Sequence, residues 1–355
     1  MKSKQCLKIF IFSLTLLILL CSPAEAEHGV DDGYFTVVDR DGYLVYQTAM
    51  QVSEGDWYIN QDNEKYVVVE VDGKEAVAEY EKTIDLLPEE IEDEVASPFL
   101  GAQEIDEPEE RIATYCTHSA ESYVPDSGTH SKPGEGDIYE VQDVFADSLE
   151  NKGIEVKASA ARHDPHDGGA YDRSRRTAME LIETQPDALF DLHRDGVPDE
   201  EVYTTQIDGE TVAKVRLVVG RENPGMEAND AFARQLKAAV DEQHPDLIKG
   251  IMFAKGKYNQ DLHPRALLLE FGTHVVPQAQ AETGAVLFAD GVEEVLYGEA
   301  QAATQAEQSS GALRSTLIIL AVVGGGLLAY LFINEGSWEG VVARIKRFFG
   351  EEFLN

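Results

Sequence analysis

The stretch ALFDLHRD at residues 188–195 passes from the mostly apolar run ALFDL directly into a histidine, an arginine and an aspartate. Residues 188–192 have the length and the apolar content of a buried strand. In open α/β sheets, ligands bind beyond the carboxyl ends of the strands. His193 is therefore expected where such a sheet carries functional side chains.

Strands and helices alternate on both sides of this stretch. Further strands are predicted over residues 112–117, 154–158, 214–219 and 266–271, and helices over residues 138–151, 174–184, 229–243 and 279–296. The pair Asp208-Gly209 is typical of a tight hairpin turn. Alternation of this kind predicts an α/β fold with a mostly parallel twisted sheet and helices on both faces.

The two ends of the chain carry export and membrane signals. Three early lysines, an apolar run and the pattern Ala24-Glu25-Ala26 predict a cleaved signal peptide over residues 1–26, with an uncleaved anchor as the alternative. A second apolar run predicts a transmembrane helix over residues 315–334, with a buried core helix as the alternative. Basic residues follow this second run, so residues 335–355 are expected in the cytoplasm and the rest of the mature chain outside the cell.

The exported part divides by composition. Residues 27–85 are predicted to form a small β module, because β-branched and aromatic runs alternate there with Asp-Gly turns. Residues 86–110 are acidic and interrupted by prolines, as in a linker, and residues 300–314 form a second linker before the membrane. The alternating α/β pattern fills residues 111–299, which are predicted to be the catalytic domain.

Charge and cysteine content exclude two classes of protein. The net charge is −37, with 66 acidic against 29 basic residues, which excludes binding to nucleic acid through its phosphates. Of three cysteines, only Cys116 remains after removal of the signal peptide, so no internal disulfide can form. Cys116 falls within a strand pattern and is interpreted as a small buried side chain rather than a nucleophile.

Three ionisable residues could share a metal ion. His118 and Glu121 are three residues apart and would point the same way on one helical turn, and His193 would supply a third ligand from another strand. Two histidines, one carboxylate and a water molecule form a known catalytic zinc set. Glu140, which opens the next predicted helix, is the alternative carboxylate ligand.

Other residues could complete such a site. Glu270 follows the apolar run ALLL, where a charge must be paired or belong to a site, and it is the candidate general base. Asp191 could orient His193, and Arg194 could stabilise an oxyanion. The loop histidines are expected at the surface: His130, His163, His166 and His263.

Five short motifs carry a resemblance to a known family. They are THSAESY at residues 117–123, DLHRD at 191–195, NP at 223–224, YNQDL at 258–262 and LLLEFG at 267–272. In this order they resemble the stage II sporulation protein P family of peptidoglycan hydrolases, which is similar to the zinc-dependent N-acetylmuramoyl-L-alanine amidases. The resemblance implies removal of stem peptides from glycan strands at the sporulation septum, during engulfment and with partner wall hydrolases. It leaves open whether cross-links are cut too.

The resemblance also assigns roles to residues. His118 and His193 match the essential histidines of the family, Glu121 lies in its Glu-Ser pair, and Glu270 matches the catalytic glutamate of the amidases. Arg194 or Asn259 is expected to hold the substrate. This chain departs from the family pattern in its C-terminal membrane span and in the β module ahead of the matched motifs. The alternatives to a zinc amidase are a non-catalytic wall-binding scaffold and a metallo-carboxypeptidase.

Overall fold

The computed structural model describes residues 33–87, 111–298, 333–334 and 337–352. The predicted signal peptide and the second linker lie outside these residues, as do nearly all of the acidic linker and of the transmembrane segment. None of the helices among the described residues combines the length and the apolar content needed to cross a membrane. The chain divides into two units, Met1–Leu296 and Tyr297–Asn355.

The first unit contains thirteen strands and five helices among the described residues. The strands are β1 Phe35–Val38, β2 Leu44–Thr48, β3 Trp57–Ile59, β4 Glu64–Asp72, β5 Glu75–Thr83, β6 Arg111–Tyr115, β7 Glu155–Ala158, β8 Ala188–Asp195, β9 Thr204–Ile207, β10 Glu210–Ala213, β11 Val215–Gly220, β12 Ile248–Ala254 and β13 Ala266–Thr273. The helices are α1 Val124–Ser127, α2 Ile138–Glu150, α3 Ala170–Ile182, α4 Met226–Gln243 and α5, residues 278–298, whose last two residues belong to the second unit. The second unit contains α6, Trp338–Glu352.

Eleven strands form one sheet, in the order β2-β1-β5-β4-β3-β12-β11-β13-β8-β6-β7. From β12 to β7 the strands are parallel to their neighbours except at the β11–β13 pair. This part of the sheet confirms the predicted α/β fold with a mostly parallel sheet. The hairpin predicted at Asp208-Gly209 joins β9 to β10 in a separate two-stranded sheet.

Helices cover both faces of the parallel region. Leu189 of β8 packs in a cluster with Ala178 and Leu181 of α3. The next residue, Phe190, lies against aromatic rings of three other helices, Phe145 of α2, Phe232 of α4 and Phe288 of α5. Because successive strand residues point to opposite faces, α3 covers one face and these three helices cover the other.

The N-terminal strands belong to the same sheet as the α/β part. Strand β3 pairs antiparallel with β12, with Tyr58 opposite Met252, and the Tyr58 hydroxyl donates to the carbonyl oxygen of Lys249 over 2.7 Å. Gly250 lies against this ring, where an added Cβ would be 2.4 Å from the Tyr58 oxygen. The predicted strands of the β module are present as β1, β2 and β4, but they extend the main sheet and share a core with β11, β12 and β13.

Candidate metal centre

His118, Glu121 and His193 converge on one point. One ligand atom of each lies within 4.8 Å of the others, and the side chains are exposed by 1%, 2% and 0%. The Glu121 Oε1 atom is 3.4 Å from His118 Nδ1 and 3.6 Å from His193 Nδ1. The structure therefore brings together the three residues that the sequence singled out as ligands.

The local backbone at the first two ligands differs from the prediction. Residues 118–121 form a tight turn rather than a helical turn, and the Glu121 N–H donates to the His118 carbonyl over 3.2 Å. Gly136 passes beneath this turn, where an added Cβ would lie 2.6 Å from the carbonyl oxygens of Ser119 and Glu121. A turn brings residues i and i+3 together as a helix does. The three-residue spacing therefore predicted correctly that the two side chains lie together, although the helical turn it assumed is absent.

Polar contacts hold two of the three ligands, Glu121 and His193, in orientation. The Arg194 backbone N–H donates to Glu121 Oε2 over 2.9 Å. His193 Nε2 lies 3.0 Å from Asp191 Oδ1, and Thr117 donates to Asp191 from its backbone N–H (2.8 Å) and its hydroxyl (2.6 Å). Asp191 and His193 point to the same face of β8 because they are two residues apart. Asp191 thus stands where the sequence predicted a carboxylate that orients His193.

The electrostatics of the group favour charged side chains despite burial. Burial opposes ionisation of Glu121, but His193 and Arg194 outweigh it and hold the pKa of this carboxyl well below its usual range. Burial likewise opposes protonation of His193, yet Asp191 and Glu121 raise its pKa well above the usual range. Negative charge therefore dominates around His193, as expected for a place that accepts a cation.

The residues present fit a metal ion such as zinc. Among the described residues, the buried Nδ1 atom of His193 has no hydrogen-bond partner, and the nearest carboxylate oxygen, of Glu121, is 3.6 Å away. Two imidazole nitrogens and one carboxylate oxygen are a donor set that zinc accepts in catalytic sites. The alternative ligand Glu140 is exposed on α2 and does not belong to the group.

Glu270 lies beside this group in the sheet, held by an arginine. It is the register partner of His193 in the parallel β13–β8 pair, and it is 1% exposed. Its Oε2 atom accepts hydrogen bonds from Arg216 Nε and from the Tyr203 hydroxyl, the latter over 3.1 Å. The sequence predicted that the charge of Glu270 is paired or belongs to a site. This prediction is confirmed, and the partner is Arg216.

Arg216 is a functional candidate that the sequence reasoning missed. It is fully buried on β11, and it also donates to Asp195 Oδ2 over 2.8 Å and to Thr48 Oγ1 over 2.7 Å. Thr48 belongs to β2, so Arg216 ties the N-terminal strands to the end of β8. The detectable signal was a lone arginine inside the apolar run VRLVVG at residues 215–220.

The two predicted substrate residues lie in hydrogen-bond networks around the group. The Arg194 guanidinium donates to the carbonyl oxygen of His130 over 2.7 Å. The Asn259 side chain donates to the carbonyl oxygen of Tyr171 (3.2 Å) and to the Ser174 hydroxyl (3.1 Å). Substrate contact by either residue stays a prediction.

The prediction that the loop histidines lie at the surface was wrong for His163, and His166 is only partly exposed. His163 is 4% exposed, and its ring nitrogens lie 2.8 Å from the Cys116 carbonyl oxygen and 2.9 Å from Thr177 Oγ1. The His166 ring stacks on His118 with centroids 3.7 Å apart. Sequence could not show this contact, because the loop that carries His166 has no periodic pattern. Cys116 is buried, as predicted.

Comparison with known protein families shows to which family this chain belongs. The model of the stage II sporulation protein P family, SpoIIP, matches residues 37–293. The chain belongs to this family. Because the match begins inside β1, the N-terminal strands lie within the extent of SpoIIP, and the expectation that they are an addition in front of it was wrong.

Individual proteins resemble this SpoIIP chain over a smaller part of its length than the family model does. Stage II sporulation protein P of Bacillus subtilis (strain 168) is 32% identical over 184 residues, and the match spans 45% of each chain. Among solved structures, the N-acetylmuramyl-L-alanine amidase Ami1 from Mycobacterium smegmatis is 13% identical with a TM-score of 0.36, covering 53% of this chain and 97% of its own. The N-acetylmuramoyl-L-alanine amidase AmiC2 of Nostoc punctiforme is 14% identical with a TM-score of 0.33, covering 55% and 99%.

Proposed function

We propose that this chain is a zinc-dependent hydrolase of bacterial peptidoglycan that cleaves the amide bond between N-acetylmuramic acid and L-alanine during sporulation. The observation that carries the proposal is the convergence of His118, Glu121 and His193, from two separate segments, in a member of the SpoIIP family. A wall-binding scaffold has no need to bury two imidazoles and a carboxylate around one point, since unpaired buried polar atoms are costly.

In this proposal His118, Glu121 and His193 hold the zinc. When bound, zinc supplies a Lewis acid that lowers the pKa of water to about 7. Asp191 fixes the His193 ring through Nε2, and the Arg194 N–H fixes the Glu121 carboxylate. These contacts orient the donor atoms, as the partners of metal-binding residues generally do.

Glu270 is proposed as the general base. Its carboxylate accepts a proton from the attacking water and passes it to the departing amide nitrogen, while the new C–O bond forms and the C–N bond breaks. Arg216 and Tyr203 hold Oε2, so the orientation of the carboxylate is fixed before substrate arrives. Arg194 and Asn259 remain the proposed substrate-holding residues.

The proposal also includes where the chain works. A signal over residues 1–26 and a span over residues 315–334 would leave the catalytic part outside the cell and the C-terminus in the cytoplasm. The substrate is then peptidoglycan facing the membrane, and other sporulation wall hydrolases are the proposed partners. The acidic net charge of −37 gives no bulk attraction to an anionic wall, so binding depends on specific contacts.

The test is digestion of purified cell-wall sacculi by the full chain with zinc, followed by mass spectrometry of the products. An amidase releases intact stem peptides and leaves bare glycan strands, whereas a carboxypeptidase releases single amino acids from peptide ends. His193→Ala should abolish release. The matched control His244→Phe, whose ring pairs with Asp290 instead, should act as wild type does. Undigested sacculi with the zinc-loaded wild type would support the scaffold.

A further inference from the structure

The end of strand β2 reaches the guanidinium group that holds the proposed general base. Arg216 NH2 donates to Thr48 Oγ1 over 2.7 Å, and Arg216 NH1 donates to the Gln47 carbonyl oxygen over 3.0 Å. The Nε atom of the same side chain donates to Glu270 Oε2. One planar group therefore connects the last two residues of β2 to the carboxylate of Glu270.

Thr48 has a fixed place in this contact. It is fully buried, and its Oγ1 atom also accepts a hydrogen bond from the Met50 backbone N–H over 3.0 Å. A hydroxyl oxygen has two lone pairs, so both acceptor positions of Oγ1 are in use. Because the bond from Met50 ties the hydroxyl to the backbone, the oxygen that Arg216 meets has a defined position.

A second connection joins the end of β2 to the same network. The Ala49 N–H donates to Asp195 Oδ1 over 2.8 Å, and Asp195 Oδ2 accepts a hydrogen bond from Arg216 NH2 over 2.8 Å. The sheet order places β1, β5, β4, β3 and β12 between β2 and β11, the strand of Arg216. Strand pairing therefore does not bring β2 beside β11, and these polar contacts join the two directly.

The orientation of Glu270 depends on how the guanidinium lies. A guanidinium is planar and its donors point in fixed directions, so tilting the plane moves the N–H group that Glu270 accepts. Without the Thr48 hydroxyl, Arg216 NH2 would keep its bond to Asp195 but lose its bond to β2. A misplacement of about 1 Å in an active site can cost about 100-fold in rate, so even a smaller tilt should be measurable.

We propose that Thr48 is a positioning residue for the reaction, and that its hydroxyl holds the Arg216 guanidinium in the plane from which it orients the Glu270 carboxylate. The N-terminal strands are then part of the catalytic machinery rather than an accessory to it. This inference rests on the proposed function. Because Thr48 is buried and acts only through Arg216, its loss should lower kcat and leave both KM and zinc binding unchanged.

Variants of the full chain at residue 48 test this role. Thr48→Val keeps the branched shape without the hydroxyl, Thr48→Ser keeps the hydroxyl, and Thr48→Cys puts a weaker acceptor in its place. The matched control is Thr114→Val. Thr114 is a fully buried strand residue whose hydroxyl accepts a hydrogen bond from Gln142 of α2 over 2.8 Å, on the opposite face of the sheet from Glu270. For each variant we would measure kcat and KM on sacculus fragments, zinc content and circular dichroism.

Thr48→Val should lower kcat about tenfold or more, with KM within about twofold of wild type and with zinc content and circular dichroism unchanged. Thr48→Ser should stay close to wild type, and Thr48→Cys should lie between the serine and valine variants. Thr114→Val should match wild type. If Thr48→Val does not fold, Thr48→Cys takes its place in every comparison.

A double-variant cycle separates positioning from a general structural effect. In a Glu270→Gln background, Thr48→Val should change the remaining kcat by no more than about twofold, because the carboxylate that it positions is already gone. The inference is overturned if Thr48→Val keeps kcat within about twofold of wild type, loses zinc, or loses as much activity in the Glu270→Gln background. It is also overturned if Thr48→Ser or Thr114→Val loses as much as Thr48→Val. A zinc-loaded wild type without activity would instead overturn the proposed function and this inference with it.

Discussion

Replacement of Arg216 by Met should destabilise the fold strongly. The guanidinium is fully buried and bonds to two buried carboxylates, Glu270 and Asp195, and to Thr48 of the N-terminal strands. Removing one partner of a buried ion pair costs about 3–5 kcal/mol, because it leaves buried charge without compensation. Two carboxylates lose their cation here, so we expect at least about 4 kcal/mol out of a typical total of about 5–15 kcal/mol.

The assay is urea unfolding of the full chain at pH 7, followed by circular dichroism and by tryptophan fluorescence. Of the two tryptophans, Trp57 lies in β3 and Trp338 in α6, so fluorescence measured in a Trp338→Phe background reports on the N-terminal strands, and both probes should give one shared transition. Arg234→Met is the matched control, because its pair with Asp230 is partly exposed on α4 and should cost less than about 1 kcal/mol. A loss for Arg216→Met no greater than that of the control would refute the reasoning.

Three further predictions follow from the same contacts. Burial lowers the pKa of Lys249 to about 7 in the folded chain. Between pH 7 and the higher pKa of this amine in the unfolded chain, the folded chain binds fewer protons than the unfolded chain, so its stability rises with pH. Lys249→Met should therefore stabilise the fold most at and below pH 7, with the gain shrinking by about 1.4 kcal/mol per pH unit between pH 7 and pH 10; a gain independent of pH in urea titrations would contradict this. Gly136→Ala should cost about 1–3 kcal/mol and weaken zinc binding, because the new methyl group meets the turn that carries Glu121; unchanged zinc affinity by competition with a chelator would count against that contact. Glu270→Gln should lower kcat at least about 100-fold while zinc content stays at the wild-type level, and near-normal turnover would remove Glu270 from the reaction.

Local patterns in the sequence were enough to predict much of the site. Strand β8 forms at the predicted apolar run, although it continues to Asp195 and so includes His193, and the spacing of His118 and Glu121 places both on one side of a turn. These predictions succeed because strand length and i to i+3 spacing are properties of short segments. The same holds for the hairpin at residues 208–209, whose two residues both adopt positive φ.

Long-range pairing was not predictable in this way. Strand β12 was missed because Lys249 and Gly250 interrupt its apolar run, and without it the N-terminal strands have no place to join the main sheet. The Arg216 network joins β2, β8, β11 and β13, which are far apart in the chain. The stacking of His166 on His118 likewise depends on how a loop folds back, and no periodicity marks such a contact.

Zinc-edge X-ray absorption of the purified full chain tests most directly whether the three side chains share one metal ion. The account predicts one zinc per chain, with imidazole nitrogens at about 2.0–2.1 Å and a carboxylate oxygen at about 2.0–2.2 Å, and loss of this signal in His193→Ala. A sulfur neighbour at about 2.3 Å, which would point to Cys116, or an unchanged spectrum in the variant, would contradict it.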